Sequence, residues 1–544
     1  MTLRRKLLAL CCLVLWSCLA IPSFGFIYNP QGGVIWDPSV FYHQGKYYVV
    51  TMYGLSEEGE HIWGNARFLG LASSDDGVHW ENQGPIIHRY CKDMNYGKAC
   101  VRKLADGRFI LNHGSFYGTS GGQIMGFFLS DDLKDWELLY QKEPDQRWYT
   151  RARWDHMYMM PKKHDDPSAG YWGYGVAQCR DDVVQGPFMM QSKDGITWET
   201  LPPPKMDWGN VPPYLMEYSG CERIGDKYYL IGGNFVGTKP GLDKRGGYAV
   251  CTAIADDPLG PFRPDDKAFR LCGIERRGNP SKNMTWLAAF ARGKDGELLV
   301  SNSALIQSRT WMLPLRKAVV DPQGHLRLHW WPQNEALRGE PVPLKTTTVS
   351  LERPLEKNKE YSMFELPEKL DVLKGFIFEG TFHVKEPTVV GEPHSRRHAV
   401  GLFLPESQKR IKAIELGIGS PKGRASVIGI LEPADANGSS SAPSAESANS
   451  RQFQFHPEDT TCDGFHATVT GVAPGEHTFR LLVRIGCFEL YIDDQLMQTF
   501  FFEPGVETVG VFTRNADVDF RDLKMWHMSL PPSYIPFPLE SKEK

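Results

Sequence analysis

The sequence carries no excess of basic charge. Lysine and arginine total 61 against 65 aspartates and glutamates, a net charge of −4 over 544 residues. A nucleic acid or an anionic membrane is therefore not the expected partner. Long apolar runs are also missing after Ala20, where no segment has the ~18 consecutive apolar residues that a membrane span requires. Convincing 3.6-residue periodicity is scarce, which argues against a helical architecture. No Cys-x-x-Cys pair or His-rich spacing points to zinc. No glycine-rich phosphate loop and no Ser/His/Asp arrangement emerges. No metal or cofactor is expected. Hydrophobic residues make up 41% and charged residues 23% of the chain, which excludes a mainly disordered protein.

What is present is aromatic and turn-rich: 12% Phe, Trp and Tyr, with 53 glycines and 38 prolines. The first residues read as a secretory leader, 1–25. Arg4, Arg5 and Lys6 precede an apolar run from Leu7 to Ala20, and small residues follow. A secreted chain with no membrane anchor after leader cleavage is the expectation. Eleven cysteines are present, and eight remain once Cys11, Cys12 and Cys18 leave. An even count in an oxidising compartment permits disulfides, with Cys91–Cys100 and Cys462–Cys487 as candidate local pairs. Asn283-Met284-Thr285 and Asn437-Gly438-Ser439 are glycosylation sequons.

A repeat organises the chain. Ser74-Asp75-Asp76-Gly77-Val78-His79-Trp80 recurs as Ser130-Asp131-Asp132-Leu133-Lys134-Asp135-Trp136 and again as Ser192-Lys193-Asp194-Gly195-Ile196-Thr197-Trp198. A degenerate copy runs from Ala255 to Phe262. The pattern predicts a polar hairpin turn followed by an aromatic plug. Between these copies, segments such as Val40–Val50 and Cys221–Ile231 alternate apolar and aromatic residues around a glycine turn, as β-hairpins do. Four-strand units repeated in this way predict an all-β chain: a five-bladed β-propeller over 26–343, then an antiparallel β-sandwich over 344–532. A mobile loop is expected near 433–450 and a frayed tail over 533–544.

Three carboxylates sit in apolar or aromatic surroundings at the heads of predicted blades. They are Asp37 in Trp36-Asp37-Pro38, Asp155 in Arg153-Trp154-Asp155-His156, and Glu217 in Met216-Glu217-Tyr218. Innermost strands line a propeller's funnel, so acids far apart in sequence meet there. A carboxylate in such a place is costly unless it is paired or used. Two carboxyl groups flanking a glycosidic bond are the requirement for its cleavage. The apolar setting of Glu217 favours a raised pKa and an acid role, while Asp37 must stay ionised. Arg153, Trp36, Trp154, Trp286 and His113 are candidate substrate-binding residues.

The order Trp36-Asp37-Pro38, Ser74…Trp80, Arg153-Trp154-Asp155, Ser192…Trp198, Glu217…Cys221 resembles glycoside hydrolase family 32, the invertases, inulinases and levanases. The resemblance implies a five-bladed propeller followed by a β-sandwich. It implies Asp37 as nucleophile, Asp155 as transition-state stabiliser and Glu217 as acid/base, with retention of configuration and an oligo- or polysaccharide substrate, most often a β-fructoside. In that family Arg adjoins its Asp, whereas Trp154 intervenes here. Trp36-Asp37-Pro38-Ser39 is equally similar to family 43, which implies an inverting arabinosidase or xylosidase. A propeller that binds carbohydrate without cleaving it is the remaining reading.

Overall fold

The computed structural model describes residues 27–531 except 31–32, 56–65, 118–121, 165, 181–184, 210–215, 236–247, 266–269, 273–282, 307–308, 356–359, 386–397, 408–409, 420–424, 432–453, 456–471 and 503–505. The expected leader, the loop near 433–450, the tail, Asn437 and Cys462 all lie outside the described residues.

Five antiparallel sheets follow one another along the chain. Blade I comprises β1 (Gly33–His43), β2 (Lys46–Leu55), β3 (Phe68–Ser74) and β4 (Glu81–His88). Blade II is β5 (Met94–Lys103), β6 (Phe109–Tyr117), β7 (Gly122–Ser130) and β8 (Glu137–Lys142). Blade III is β9 (Tyr149–Pro161), β10 (Tyr171–Cys179), β11 (Gln185–Ser192) and β12 (Glu199–Leu201). Blade IV is β13 (Met216–Ile224), β14 (Lys227–Phe235), β15 (Tyr248–Ala255), β16 (Arg263–Pro264) and β17 (Arg270–Cys272). Blade V is β18 (Asn283–Arg292), β19 (Leu298–Ile306), β20 (Arg309–Met312), β21 (Arg316–Val320) and β22 (Leu326–Trp330). The ring closes where the start of the chain meets its last blade. Ile27 N donates to Met312 O at 3.1 Å, and Met312 N donates to Tyr28 O at 3.0 Å.

The repeated Ser…Trp heptad is the turn between the third and fourth strands of blades I to III. In each copy the serine Oγ accepts from the backbone N–H three residues on: Gly77 at 2.8 Å, Leu133 at 2.9 Å and Gly195 at 2.8 Å. The aspartate two residues after the serine accepts the amides two and three residues beyond itself, as Asp76 does from Val78 and His79 at 2.8 Å. The tryptophan Nε1–H then returns to the carbonyl three residues back, at 3.1, 3.1 and 2.9 Å. That residue has positive φ in all three copies: 76° at Gly77, 68° at Leu133 and 78° at Gly195. The fixed Ser–Trp spacing is thus the geometry of a turn that satisfies its own amides.

The sandwich begins with two short strands, β23 (Arg338–Pro341) and β24 (Val349–Leu351). There follow β25 (Tyr361–Glu365), β26 (Phe376–Val384), β27 (Ala399–Ser407), β28 (Arg410–Gly417), β29 (Ala425–Leu431) and β30 (Gln454–Phe455). The last strands are β31 (Gly475–Arg484), β32 (Cys487–Ile492), β33 (Gln495–Phe501), β34 (Gly510–Arg514) and β35 (Val518–Met528). One sheet runs β33-β32-β31-β26-β35, with β23 and β24 on β35; the other runs β25-β34-β27-β28-β29-β30. β31–β33 form a meander, and its Asp493-Asp494 turn has positive φ at both residues, 49° and 62°, as a two-residue hairpin of this hand requires. Among the described residues, a single β-bridge, His329 to Gln495, joins blade V to the first sandwich sheet.

The expected disulfides are corrected in part. Cys91, Cys100, Cys179, Cys221, Cys251 and Cys487 are free thiols. Cys100 sits on the innermost strand of blade II, where it accepts from Ser39 Oγ at 3.6 Å instead of meeting Cys91.

Candidate active site

Each innermost strand carries one more residue than its neighbour at the same level. On β1 the register slips between Trp36 and Ser39, and on β5 between Tyr96 and Ala99. On β9 it slips between Trp154 and Met157, on β13 between Tyr218 and Gly220, and on β18 between Trp286 and Ala288. Such bulges re-aim side chains out of the regular alternation. The residues they hold are Asp37-Pro38, Gly97-Lys98, Asp155-His156, Ser219 and Leu287. Asp37 takes φ of +51°, a left-handed conformation that costs free energy at most non-glycine residues and is commonest at functional sites.

Two of the three acids meet on one guanidinium, and the third, Asp37, lies within electrostatic reach of both and of the arginine. Arg153 Nη2 lies 3.0 Å from Asp155 Oδ2 and 3.1 Å from Glu217 Oε1. Arg153 and Asp155 share a face because residues two apart on a strand do so; Trp154 between them points the other way. Asp155 also accepts from the His156 backbone N–H at 2.8 Å. Its carboxylate lies over Gly97 and Gly114: a Cβ at Gly97 would stand 2.9 Å from Asp155 Oδ1, and one at Gly114 would collide with it. Side chains at either position would close the space the acid occupies.

Burial and charge work differently on the acids. Burial raises the Asp155 carboxyl, but the Arg153 guanidinium and the His156 contacts overcome it and hold the group well below the usual carboxylate range. Asp37 is pushed well above that range, first by burial and then by the negative charges of Glu217 and Asp155; Lys98 is the strongest influence in the other direction, and Arg153 adds to it. Asp37 Oδ1 has no hydrogen-bond partner among the described residues. Glu217 and Arg153 are the more open members, their side chains 13% and 16% exposed. The apolar setting expected for Glu217 is broken by that arginine.

The aromatic candidates lie elsewhere. Trp36 is buried against Val34, Met52, Leu287 and Leu305. Trp154 is fully buried, its ring centroid 4.4 Å from that of Phe188 and its Nε1 donating to Lys142 O at 3.0 Å. Both rings fill the walls rather than the funnel, as a strand's period of two dictates for neighbours of Asp37 and Asp155. His113 is on β6, the second strand of blade II, packed edge-on against Tyr96 with centroids 4.8 Å apart; its Nδ1 donates to Gly114 O at 2.9 Å. Burial lowers its pKa to about 4, so it is neutral at physiological pH. Trp286 is placed on β18, but its side chain lies outside the described residues.

Sequence reasoning missed Lys98 and His156. Lys98 is 1% exposed, and its Nζ has no hydrogen-bond partner among the described residues. His156 is equally buried, neither ring nitrogen has a hydrogen-bond partner among the described residues, and burial lowers its pKa. A readable signal existed for Lys98: a lone lysine in the apolar stretch Tyr96-Gly97-Lys98-Ala99-Cys100-Val101.

No protein-family model matches the sequence, and no curated protein matches it. Solved structures do match. A β-fructofuranosidase of Bombyx mori from glycoside hydrolase family 32 superposes with a TM-score of 0.59 at 13% identity, over 94% of both chains. A sucrose-6-phosphate hydrolase from Lactobacillus gasseri gives 0.60 at 13% identity, over 95% of this chain and 94% of the other. Fructan 1-exohydrolase IIa of Cichorium intybus, solved with 1-kestose, gives 0.56 at 14% identity, over 93% and 97%. The fold is therefore the propeller and β-sandwich of these structures across nearly the whole chain.

Proposed function

We propose that this chain is a secreted glycoside hydrolase that cleaves β-fructosides. One observation carries the reading: Arg153 bridges Asp155 and Glu217 from two blades, and Asp37 from a third lies within electrostatic reach of all three. The fold likeness to enzymes whose names specify β-fructofuranosides, sucrose 6-phosphate and fructans supports the substrate class.

In this reading the fructosyl ring lies over Asp155, whose ionised carboxylate accepts hydrogen bonds from ring hydroxyls. Asp37 attacks the anomeric carbon as Glu217 gives its proton to the departing glycosidic oxygen. The bond to the leaving group breaks and a fructosyl ester of Asp37 forms. Water then attacks the same carbon, Glu217 takes its proton, and the ester bond breaks to free Asp37. Two displacements retain configuration, which requires carboxyl groups ~5–5.5 Å apart. Arg153 holds Asp155 charged and orients Glu217 between the two steps.

The test is product analysis after incubation of the intact chain with sucrose, inulin, levan, arabinan and xylan, with early anomers read by NMR. Release of fructose with retention supports the proposal. Inverted arabinose or xylose from the last two substrates replaces it with the family 43-like reading. Binding of these glycans without hydrolysis of any of them replaces it with a non-catalytic carbohydrate-binding propeller.

A further inference from the structure

Blades I and III use their bulges to deliver Asp37 and Asp155. The corresponding bulge of blade II delivers Gly97 and Lys98. The glycine makes room for the Asp155 carboxylate, and the lysine is the most deeply buried charged residue of the group, 1% exposed against 6% for Asp37 and 4% for Asp155. An ammonium buried to that depth carries a large desolvation penalty unless a charge nearby offsets it. Its Nζ makes no hydrogen bond to a described residue, and neither does Asp37 Oδ1. An amine nitrogen and a carboxyl oxygen, both buried and without a hydrogen bond to a described residue, thus come from bulges on adjacent blades.

We infer that Lys98 is a positioning residue of this site, whose ammonium is the counter-charge that draws the buried Asp37 carboxyl toward the ionised form needed for attack. The inference rests on the nucleophilic role proposed for Asp37. Arg153 does not serve in its place, because its Nη2 is shared between Asp155 and Glu217. The charged and titratable groups around Asp37 are Lys98 from β5, Arg153, Asp155 and His156 from β9, and Glu217 from β13; Cys100 lies beyond Ser39 on β5, and His113 on β6 faces Asp155. Both carboxylates and the burial oppose ionisation of Asp37, the histidines are neutral, and the remaining cation nearest in effect is Lys98. A nucleophile in so dry a place keeps its reactivity only if its charge is stabilised without being locked in a hydrogen bond. An unbonded ammonium provides that.

The experiment uses Lys98→Met, Lys98→Gln and Lys98→Arg in the full chain, and reads two quantities. The first is the acid limb of kcat/KM on the best substrate. Met and Gln are expected to move it up by about one to three pH units, with activity climbing toward the wild-type plateau at high pH; Arg is expected to restore the wild-type limb position. The second is the titration of the Asp37 carboxyl, followed as the carboxylic C=O infrared band that is lost in Asp37→Asn; this needs no substrate. An upward shift of that band's midpoint in Met or Gln supports the inference. An unmoved midpoint overturns it, as does a loss of rate that is uniform across pH or confined to KM for phosphorylated or sulfated sugars, which would make Lys98 a substrate anion contact. If the wild-type chain hydrolyses none of the glycans, the proposed function fails, while the infrared titration still decides the coupling of Lys98 to Asp37.

Discussion

Two buried arginines mark two different solutions to the burial of charge. Arg316 on β21 lies at the junction of propeller and sandwich with no exposure, and each of its nitrogens is used. It donates to Asn302 Oδ1 and Glu489 Oε1, and its Nε to Tyr491 OH at 3.3 Å. Tyr491 OH in turn donates to Glu489 Oε2 at 2.8 Å. The charges cancel and the geometry closes. At the axis, Arg153 is partly open and shared between two acids, and Asp37, Lys98 and His156 keep polar atoms without a hydrogen bond to any described residue. Unsatisfied buried atoms occur elsewhere too, Asn302 Nδ2 beside Arg316 among them, but at the axis they fall on three titratable side chains, Asp37, Lys98 and His156.

The largest expected effect comes from Asp37→Asn, which sharpens the contrast. Activity falls to background, and the pH dependence of stability that Asp37 contributes disappears with it. The folded-state pKa of Asp37 is raised, so its stabilising contribution is fully present below the unfolded-state pKa and is lost as pH rises through the folded one. Asn removes the titrating group and tolerates the left-handed backbone. Calorimetry across the pH range checks this; a variant whose Tm keeps the wild-type pH dependence would count against it. The same raised pKa places the acid limb of wild-type kcat/KM at a higher pH than an ordinary carboxylate would, and a pH profile measures it.

Next in size, Glu217→Gln is expected to lower kcat by about 10²–10⁴-fold, with glycan binding retained in calorimetric titration. Arg316→Met, by contrast, leaves a buried Glu489 uncompensated and is expected to cost about 3–5 kcal/mol in urea unfolding, with kcat unchanged where the variant is folded. Adding Glu489→Leu to it is expected to recover most of that loss, because the pair's removal also removes its desolvation penalty. If the double variant is as unstable as the single, the junction is not the closed charge network described. Smallest, Ser130→Ala removes the acceptor for Leu133 N–H and is expected to cost about 1 kcal/mol without touching activity.

Legibility in the sequence followed the range of the interaction. The Ser…Trp heptad is a local turn, complete within seven residues, so each of its three copies marks a blade on its own. Asp37, Asp155 and Glu217 were legible as polar residues out of place in apolar strands. Trp36 and Trp154 misled, because an aromatic beside an acid in sequence lies on the opposite face of its strand. Lys98 was overlooked because one lysine in a strand looks like an edge residue until the bulge that turns it inward is seen. The Cys91–Cys100 pair failed for a similar reason: closeness in sequence says nothing about which way a strand aims a thiol.

The sequence by itself determined the all-β character, the blade repeat and the candidate acids, since alternation, turn chemistry and the cost of burying a carboxylate act over a few residues. Only the tertiary structure decided which of those acids share a guanidinium, which tryptophans are wall and which lysine is buried beside them. Those outcomes depend on one-residue register slips in five strands that meet at an axis, and a slip of one residue reverses the face of every side chain beyond it.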